Sequence, residues 1–185
     1  RLTQAKPVGT QAVNDAVTAV LEREGVRYTD LMRVEKDSQG SIVSVEADTV
    51  KINALKASVT TEILTQLKKH QNMTVRMPTG TLLNGDLLTG RGPRIPVKIS
   101  LSGAAATQMS SYFESAGINQ TSHRLVMDIT VTLYAAIPGN DATTTLETSF
   151  IIAETVLVGK VPDTFLDVDG RVANLEGEKG NKEEE

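Results

Sequence analysis

The sequence predicts an α+β fold in two layers, with three helices packed on a mainly antiparallel sheet that ends in a long C-terminal β-hairpin. Three observations predict it. Apolar residues recur at helical spacing in two segments of the first 70 residues. Short strands bounded by turn residues lie between those helices. Beyond residue 120 the chain alternates apolar and polar residues at every second position, as half-buried strands do.

Residues 1–77 predict a module with the order helix, strand, strand, helix, strand. The first helix should end at Gly25, and Asp48 or Thr49 should cap the second. Lys68, Lys69 and His70 should close the second helix, where cations suit the helix dipole. The predicted elements are a helix over Thr10–Glu24, strands over Tyr28–Glu35 and Ser41–Ala47, a helix with its apolar face from Ile52 to Leu67, and a strand over Met73–Met77.

Residues 78–168 predict a glycine-rich loop, a short strand, a third helix and the long hairpin, continuous with the first module. Ala105, Met109, Phe113 and Ala116 follow one another at helical spacing. The predicted elements are a loop over Pro78–Pro96, a strand over Val97–Leu101, a helix over Ala104–Ala116, and strands over His123–Ile137 and Thr143–Val158 joined by a turn at Pro138–Asp141. Residues 169–185 are charged and lack an apolar period, which predicts a disordered tail.

Composition limits the possible functions. The chain has 185 residues, 39% hydrophobic and 23% charged, which suits one domain or one domain with a small second lobe. It has no cysteine, which excludes thiol catalysis and Cys-ligated zinc. Aromatic residues are scarce, at 3%, and the Lys and Arg residues are scattered along a chain of net charge −4. We therefore predict no nucleic-acid partner.

Three short motifs carry a family resemblance. They are the turn Pro78-Thr-Gly80, the run Gly92-Pro-Arg-Ile-Pro-Val97 and the tripeptide Gly117-Ile-Asn119. In this order they resemble the sporulation protein YunB family of endospore-forming bacteria, and the resemblance covers roughly Gly9 to Thr164. The motifs are turns and strands and include no chemical site. The resemblance therefore implies a biological setting without implying a reaction.

The resemblance also implies a location and a mode of action. Family members carry an N-terminal transmembrane helix just before the folded region, and this sequence starts at Arg1 without a Met. We therefore expect a membrane-anchored protein whose anchor lies upstream of this sequence. Its folded domain should lie outside the cytoplasm, at the membranes that surround the forespore. Its expected partners are further copies of itself or other spore-envelope proteins.

The two histidines, His70 and His123, limit the chemistry, because a Ser-His-Asp triad or a His-ligated metal would need one of them. The helix C-terminus explains His70. Partial exposure at the start of a strand explains His123. We therefore predict no catalytic residue, no metal site and no cofactor.

Arg91 and Arg94 flank a Gly90-Arg-Gly92 turn that could cradle a phosphate with backbone amides and guanidinium groups. Phosphate loops need further glycines at fixed spacing and a following helix. Here Pro93, Pro96 and a strand follow, which favours a structural turn. The two arginines remain candidate interaction residues.

Glu154 is a third candidate interaction residue, because it interrupts the apolar run from Phe150 to Val158. Arg124 or Lys98 could pair with it if it is buried. The favoured interpretation is a charge on an edge strand that blocks aggregation. Glu147 lies seven residues earlier on the same strand. Because seven is odd, a regular strand puts the two carboxylates on opposite faces, where they cannot pair as a glycosidase dyad without a bulge between them.

Three functions remain open from the sequence. The favoured one is a non-enzymatic structural protein that self-associates through added strands or stacked modules. The alternative is a lipid- or glycan-binding module of the spore envelope, in which the aliphatic face around Met127 would wall an apolar pocket. The third is a hydrolase, which needs a histidine or two carboxylates converging in a cleft.

Overall fold

The computed structural model describes residues 5–82, 86–137, 140–159, 164–166 and 172–174, and confirms the α+β class. Four strands form the main sheet in the order β3-β4-β5-β6, and two further pairs, β1-β2 and β7-β8, form small sheets of their own. In chain order the elements are α1 Ala5–Glu24, α2 Tyr28–Leu31, β1 Met32–Lys36, β2 Ile42–Ala47, α3 Thr49–Lys69, β3 Asn72–Pro78, α4 Thr79–Leu82, a 3₁₀ turn Asp86–Leu88, β4 Arg94–Gly117, β5 Gln120–Ile137, β6 Asn140–Val158, β7 Thr164–Leu166 and β8 Val172–Asn174.

Helix α3 begins, and both long helices end, where their sequence signals predict, whereas α1 begins at Ala5 and not at the predicted Thr10. The Asp48 side chain accepts a hydrogen bond from the Lys51 N–H, and the Asp48 carbonyl accepts one from the Ile52 N–H, so Asp48 caps α3. Gly25 follows α1 with φ +56°, a conformation that glycine adopts without steric cost, and its N–H donates to the Leu21 carbonyl. The strand predicted from Tyr28 begins later, because Tyr28–Leu31 form α2.

The helix predicted over Ala104–Ala116 is wrong, because this segment belongs to the 24-residue strand β4. Its odd-numbered residues from Val97 to Phe113 are the less exposed ones, and its even-numbered residues are mostly exposed. Ala105, Met109 and Phe113 are spaced by four, and a spacing of four keeps residues on one face of a strand as well as of a helix. The residues between them decide the matter, and they alternate.

The first compact unit comprises residues 1–20, 58–107 and 129–148. Its core joins apolar faces of α1 and α3 to the odd-numbered residues of β4 and β5, such as Leu101 and Leu133. A side chain at Gly9 of α1 would lie 2.6 Å from Leu133 Cδ1, and one at Gly103 of β4 would lie 2.6 Å from Leu67 Cδ1. Glycine therefore lets the helices approach the sheet closely at these two points.

The second compact unit comprises residues 21–57, 108–128 and 149–185. Strands β1 and β2 pair antiparallel, with Met32 opposite Ala47, which confirms the predicted hairpin. The Asp48 N–H donates to the Leu31 carbonyl and ties the end of this hairpin to α2. The sequence-based division at residue 77 stays a prediction. Of the turn predicted at Pro138–Asp141, the described residues Asn140 and Asp141 belong to β6. Of the disordered tail predicted at 169–185, the described residues Val172–Asn174 form β8, which pairs with β7; the remaining residues of both segments lie outside the described residues.

The alternation of β6 shifts by one residue near its middle. Even-numbered residues from Ala142 to Ile152 are the less exposed ones, whereas Ala153, Thr155 and Leu157 are the less exposed ones after that point. Two successive inward residues are what a β-bulge produces. Glu147 and Glu154 are therefore both exposed in spite of their odd spacing.

Candidate functional site

The polar centre of the second unit is His123, which β5 places on the inner face of the sheet with 0% exposure. The Phe113 ring of β4 stacks on the imidazole, with ring centroids 4.1 Å apart and planes 3° from parallel. The Tyr28 ring of α2 meets the imidazole edge-on at 5.3 Å. The Tyr28 hydroxyl and His123 Nδ1 are hydrogen-bonded at 2.5 Å. We call Tyr28, Phe113 and His123 the imidazole cluster.

Burial keeps the imidazole cluster uncharged. Desolvation lowers the pKa of His123 to about 4, because the charged imidazolium loses its hydration. Desolvation also raises the pKa of Tyr28 well above its usual value of 10, so the phenol keeps its proton. No described residue bonds the buried Nε2 of His123. Leaving a buried polar atom without a partner costs about 1–3 kcal/mol, and ring stacking returns about 0.5–1.5 kcal/mol.

The imidazole cluster acts as packing. The partial exposure predicted for His123 is wrong, since the ring is fully covered. A general base needs a substrate within hydrogen-bond reach, and here Nδ1 is engaged by Tyr28 while the unpaired Nε2 is fully buried. Sequence reasoning missed the cluster because it placed Phe113 on a helix. Continuing the alternation from Val97 would have put Phe113 on the inner face.

His70, unlike the buried His123, is exposed, and it lies at the C-terminal end of α3. Its Nδ1 is 3.1 Å from the Gln66 carbonyl oxygen, a contact within the last turn of the helix. The predicted role at the helix end fits this position. Among the described residues, no group of three His, Cys, Asp or Glu side chains could hold a metal ion.

Glu154 forms an ion pair with Arg124 on the neighbouring strand β5. Arg124 Nη2 is 3.2 Å from Glu154 Oε1, and the Ser122 hydroxyl donates to the same oxygen at 3.3 Å. Of the two partners that the sequence suggested, Arg124 is the one in contact. Both side chains are partly exposed, so the pair is worth at most about 1 kcal/mol.

The loop that carries Arg91 is closed by its own hydrogen bonds. The Gly80 N–H donates to the Arg91 carbonyl, the Arg91 N–H donates to the Leu88 carbonyl, and the Gly90 N–H donates to the Thr81 hydroxyl. A Cβ at Gly80 would lie 1.9 Å from the Leu88 oxygen, so only glycine fits this position. Two of the amides that a phosphate cradle here would need, those of Gly90 and Arg91, are already bonded, which supports the structural turn.

The strand register gathers cations that the sequence analysis treated as scattered. In the β3–β4 pair, Arg76 is opposite Pro96, so Arg94 and Lys98 are its diagonal neighbours on the exposed face. Diagonal neighbours in an antiparallel pair are about 7 Å apart. Arg91 is exposed in the loop that precedes β4. The register that unites these side chains is not visible from one strand alone.

The main sheet has two unpaired edges among the described strands. Strand β6 has β5 as its only partner strand in this sheet, and just beyond its end Gly159 lies against Gly40 and Ile42 of the β1–β2 hairpin. The other edge is formed by β3, which has β4 as its one partner strand, and beyond Ser100 by β4 itself, because β3 pairs with β4 only over Arg94–Ser100. Exposed apolar side chains lie along β6 at Ile151, Val156 and Val158.

The described helices contain no segment of the length and hydropathy that a membrane span requires.

Comparison with known proteins confirms the resemblance seen in the sequence. The family profile described as Sporulation protein YunB matches residues 74–164. The chain is also similar to Sporulation protein YunB of Bacillus subtilis (strain 168), with 21% identity over 172 residues that cover 88% of this chain and 67% of the relative. No solved structure matches the chain. The two sequence matches support a role in sporulation.

Proposed function

We propose that this chain, whose residues 74–164 match the sporulation protein YunB family, acts in spore formation as a non-enzymatic assembly module. Copies of the chain would associate by adding strands at the open edges of the main sheet. The matched range lies mainly on strands β3 to β6, which agrees with such a role. Both histidines make structural contacts, His123 with Tyr28 and His70 with the Gln66 carbonyl, which also supports a non-enzymatic role.

The observation that carries the proposal is the open edge of β6. A strand with one neighbour presents a row of unpaired N–H and C=O groups, which is a template for another strand. This edge is 19 residues long, and natural edge strands are usually kept short. Main-chain hydrogen bonds would supply affinity, and the exposed side chains of Ile151, Val156 and Val158 would supply apolar contact.

The charge on β6 does not oppose this pairing near its end. Edge strands are commonly protected by charged side chains, and Glu154 is the only charged residue between Phe150 and Val158. Arg124 of β5 lies against the Glu154 carboxylate. The edge therefore presents little net charge here, and an approaching strand meets mainly apolar side chains.

The test is the mass of the chain in solution as a function of protein concentration, measured by sedimentation or light scattering. We expect the mass to rise with concentration. In the variant Val156→Lys/Val158→Lys it should stay that of a monomer, because charges on an edge strand block pairing. Helix and strand content by circular dichroism should be unchanged, since both side chains are exposed.

Val50→Lys is a control for a single Val→Lys change outside the main sheet, because Val50 is 77% exposed on α3. It should assemble as the unaltered chain does. A chain that stays monomeric at every concentration, also when joined to its upstream segment in a membrane, would refute the proposal.

The location that the resemblance implies belongs to the same proposal. The domain would be held on a membrane by an upstream segment, outside the cytoplasm and around the forespore. Self-association on a membrane gains from high local concentration. Protease added after removal of the wall, while the space around the forespore is still open to the outside, should digest the domain; its complete protection at that stage would contradict this location.

A further inference from the structure

The loop after β3 and the strand ends beside it form a surface with an unusual composition. Its members are two exposed leucines and four exposed cations, and we call it the basic loop patch: Arg76, Leu87, Leu88, Arg91, Arg94 and Lys98. All six lie in the first compact unit. None of the six belongs to β6.

The cations of the basic loop patch have no acidic partner among the residues described with their side chains. The ion pairs found there join Arg23, Arg27, Lys51 and Arg124 to carboxylates elsewhere. Arg76 has Arg94 and Lys98 as diagonal neighbours on the same face, and like charges at that separation repel. An anionic surface would relieve this repulsion.

The leucines of the patch lie in the same loop as Arg91. Leu87 is 90% exposed and Leu88 is about half exposed, although both are large apolar side chains. The Arg91 N–H donates to the Leu88 carbonyl, so Leu88 and Arg91 close a turn whose ends are within about 7 Å. Close packing at Gly80 holds this turn against α4.

We propose that the basic loop patch binds the surface of an anionic lipid bilayer. Leu87 and Leu88 enter the boundary between headgroups and acyl chains, and the four cations contact lipid phosphates around them. Apolar side chains that enter the interface, flanked by Lys and Arg, are the combination that peripheral membrane proteins use. This contact is separate from strand addition at β6 and does not rest on it.

The leucines decide between a bilayer and other anions. Inorganic phosphate or a soluble polyanion would contact the guanidinium groups but would leave Leu87 in water. In the described part of the loop, the N–H groups of Gly80, Gly90 and Arg91 are already bonded and are not available to a single phosphate. An anionic bilayer can bind both the cations, through lipid phosphates, and the exposed leucines, through its apolar interior.

The experiment measures co-sedimentation of the full chain with vesicles of phosphatidylcholine, with and without phosphatidylglycerol. We expect binding only to the anionic vesicles, weakened by salt. Arg91→Ala/Arg94→Ala should weaken it about 30-fold, since each cation near such a surface contributes roughly a five- to sixfold factor. Leu87→Ser should weaken it about tenfold through lost apolar burial.

The matched control is Arg33→Ala/Lys36→Ala, which removes the same charge from the exposed β1 strand of the other compact unit. It should bind as the unaltered chain does. Equal weakening in this control would show that net charge alone drives binding and would overturn the proposal. So would binding that Leu87→Ser leaves unchanged, or that inorganic phosphate or polyglutamate displaces at matched ionic strength.

Discussion

The imidazole cluster and the basic loop patch depart in opposite directions from the usual distribution of side chains. The first buries a histidine completely, and the second exposes a leucine almost completely. Buried polar groups matter for folding, because their environment exists only in the folded chain. Exposed apolar groups contribute little to folding and are typical of surfaces that meet a partner. One region should therefore govern stability, and the other should govern binding.

The largest effect is expected from His123→Ala. Removing the ring leaves a cavity beside Phe113 and leaves the Tyr28 hydroxyl without its partner. Large-to-small changes at buried sites cost about 2–5 kcal/mol, so we expect about 4 kcal/mol less free energy of unfolding. Urea denaturation followed by circular dichroism measures it. A loss below about 1 kcal/mol would show that the cluster is not part of the core.

A slightly smaller effect is expected from acid. The pKa of His123 is about 4 in the folded chain and 6.5 in the unfolded one. The unfolded chain therefore binds the proton first, and stability present above pH 6.5 is lost as the pH falls to about 4. The full loss corresponds to about 3 kcal/mol.

Carboxylates also titrate in part of this range, so the comparison with His123→Phe isolates the histidine. Unfolding free energies at a series of pH values should show the extra loss in the unaltered chain and not in the variant. Parallel curves for the two proteins would contradict a buried neutral imidazole.

The smallest effect on folding is expected from Leu87→Ser. The side chain is 90% exposed, and substitutions at such positions usually change stability by less than about 0.5 kcal/mol. The same variant should lose about tenfold in vesicle binding. A marked loss of stability would mean that Leu87 is a packing residue, and the contrast between the two regions would then fail.

Most of the fold could be predicted from the sequence where one local signal sufficed. The alternation of Leu125, Met127 and Ile129 predicted β5, and these side chains are core, which disfavours the apolar pocket around Met127. Asp48 and Gly25 predicted the boundaries of α3 and α1. The helix predicted over Ala104–Ala116 was wrong, because three successive alanines favour a helix locally whereas pairing with β5 favours a strand.

The surfaces were less predictable, because they depend on which strands lie side by side. Arg91 and Arg94 were named from the sequence, but Arg76 and Lys98 join them only through the β3–β4 register. Glu154 and Arg124 were named as possible partners, and pairing of β5 with β6 brings them together. The imidazole cluster draws on α2, β4 and β5, so no single segment predicts it.

The change of parity between Ile152 and Ala153 also protects the long hairpin from slipping out of register. A ribbon that alternates evenly can slide by two residues and still turn every aliphatic side chain inward. A strand that changes parity at one point cannot, because a copy displaced by two residues past the bulge would expose Ala153 and bury Glu154. The bulge in β6 therefore favours one register of β6 against β5 during folding.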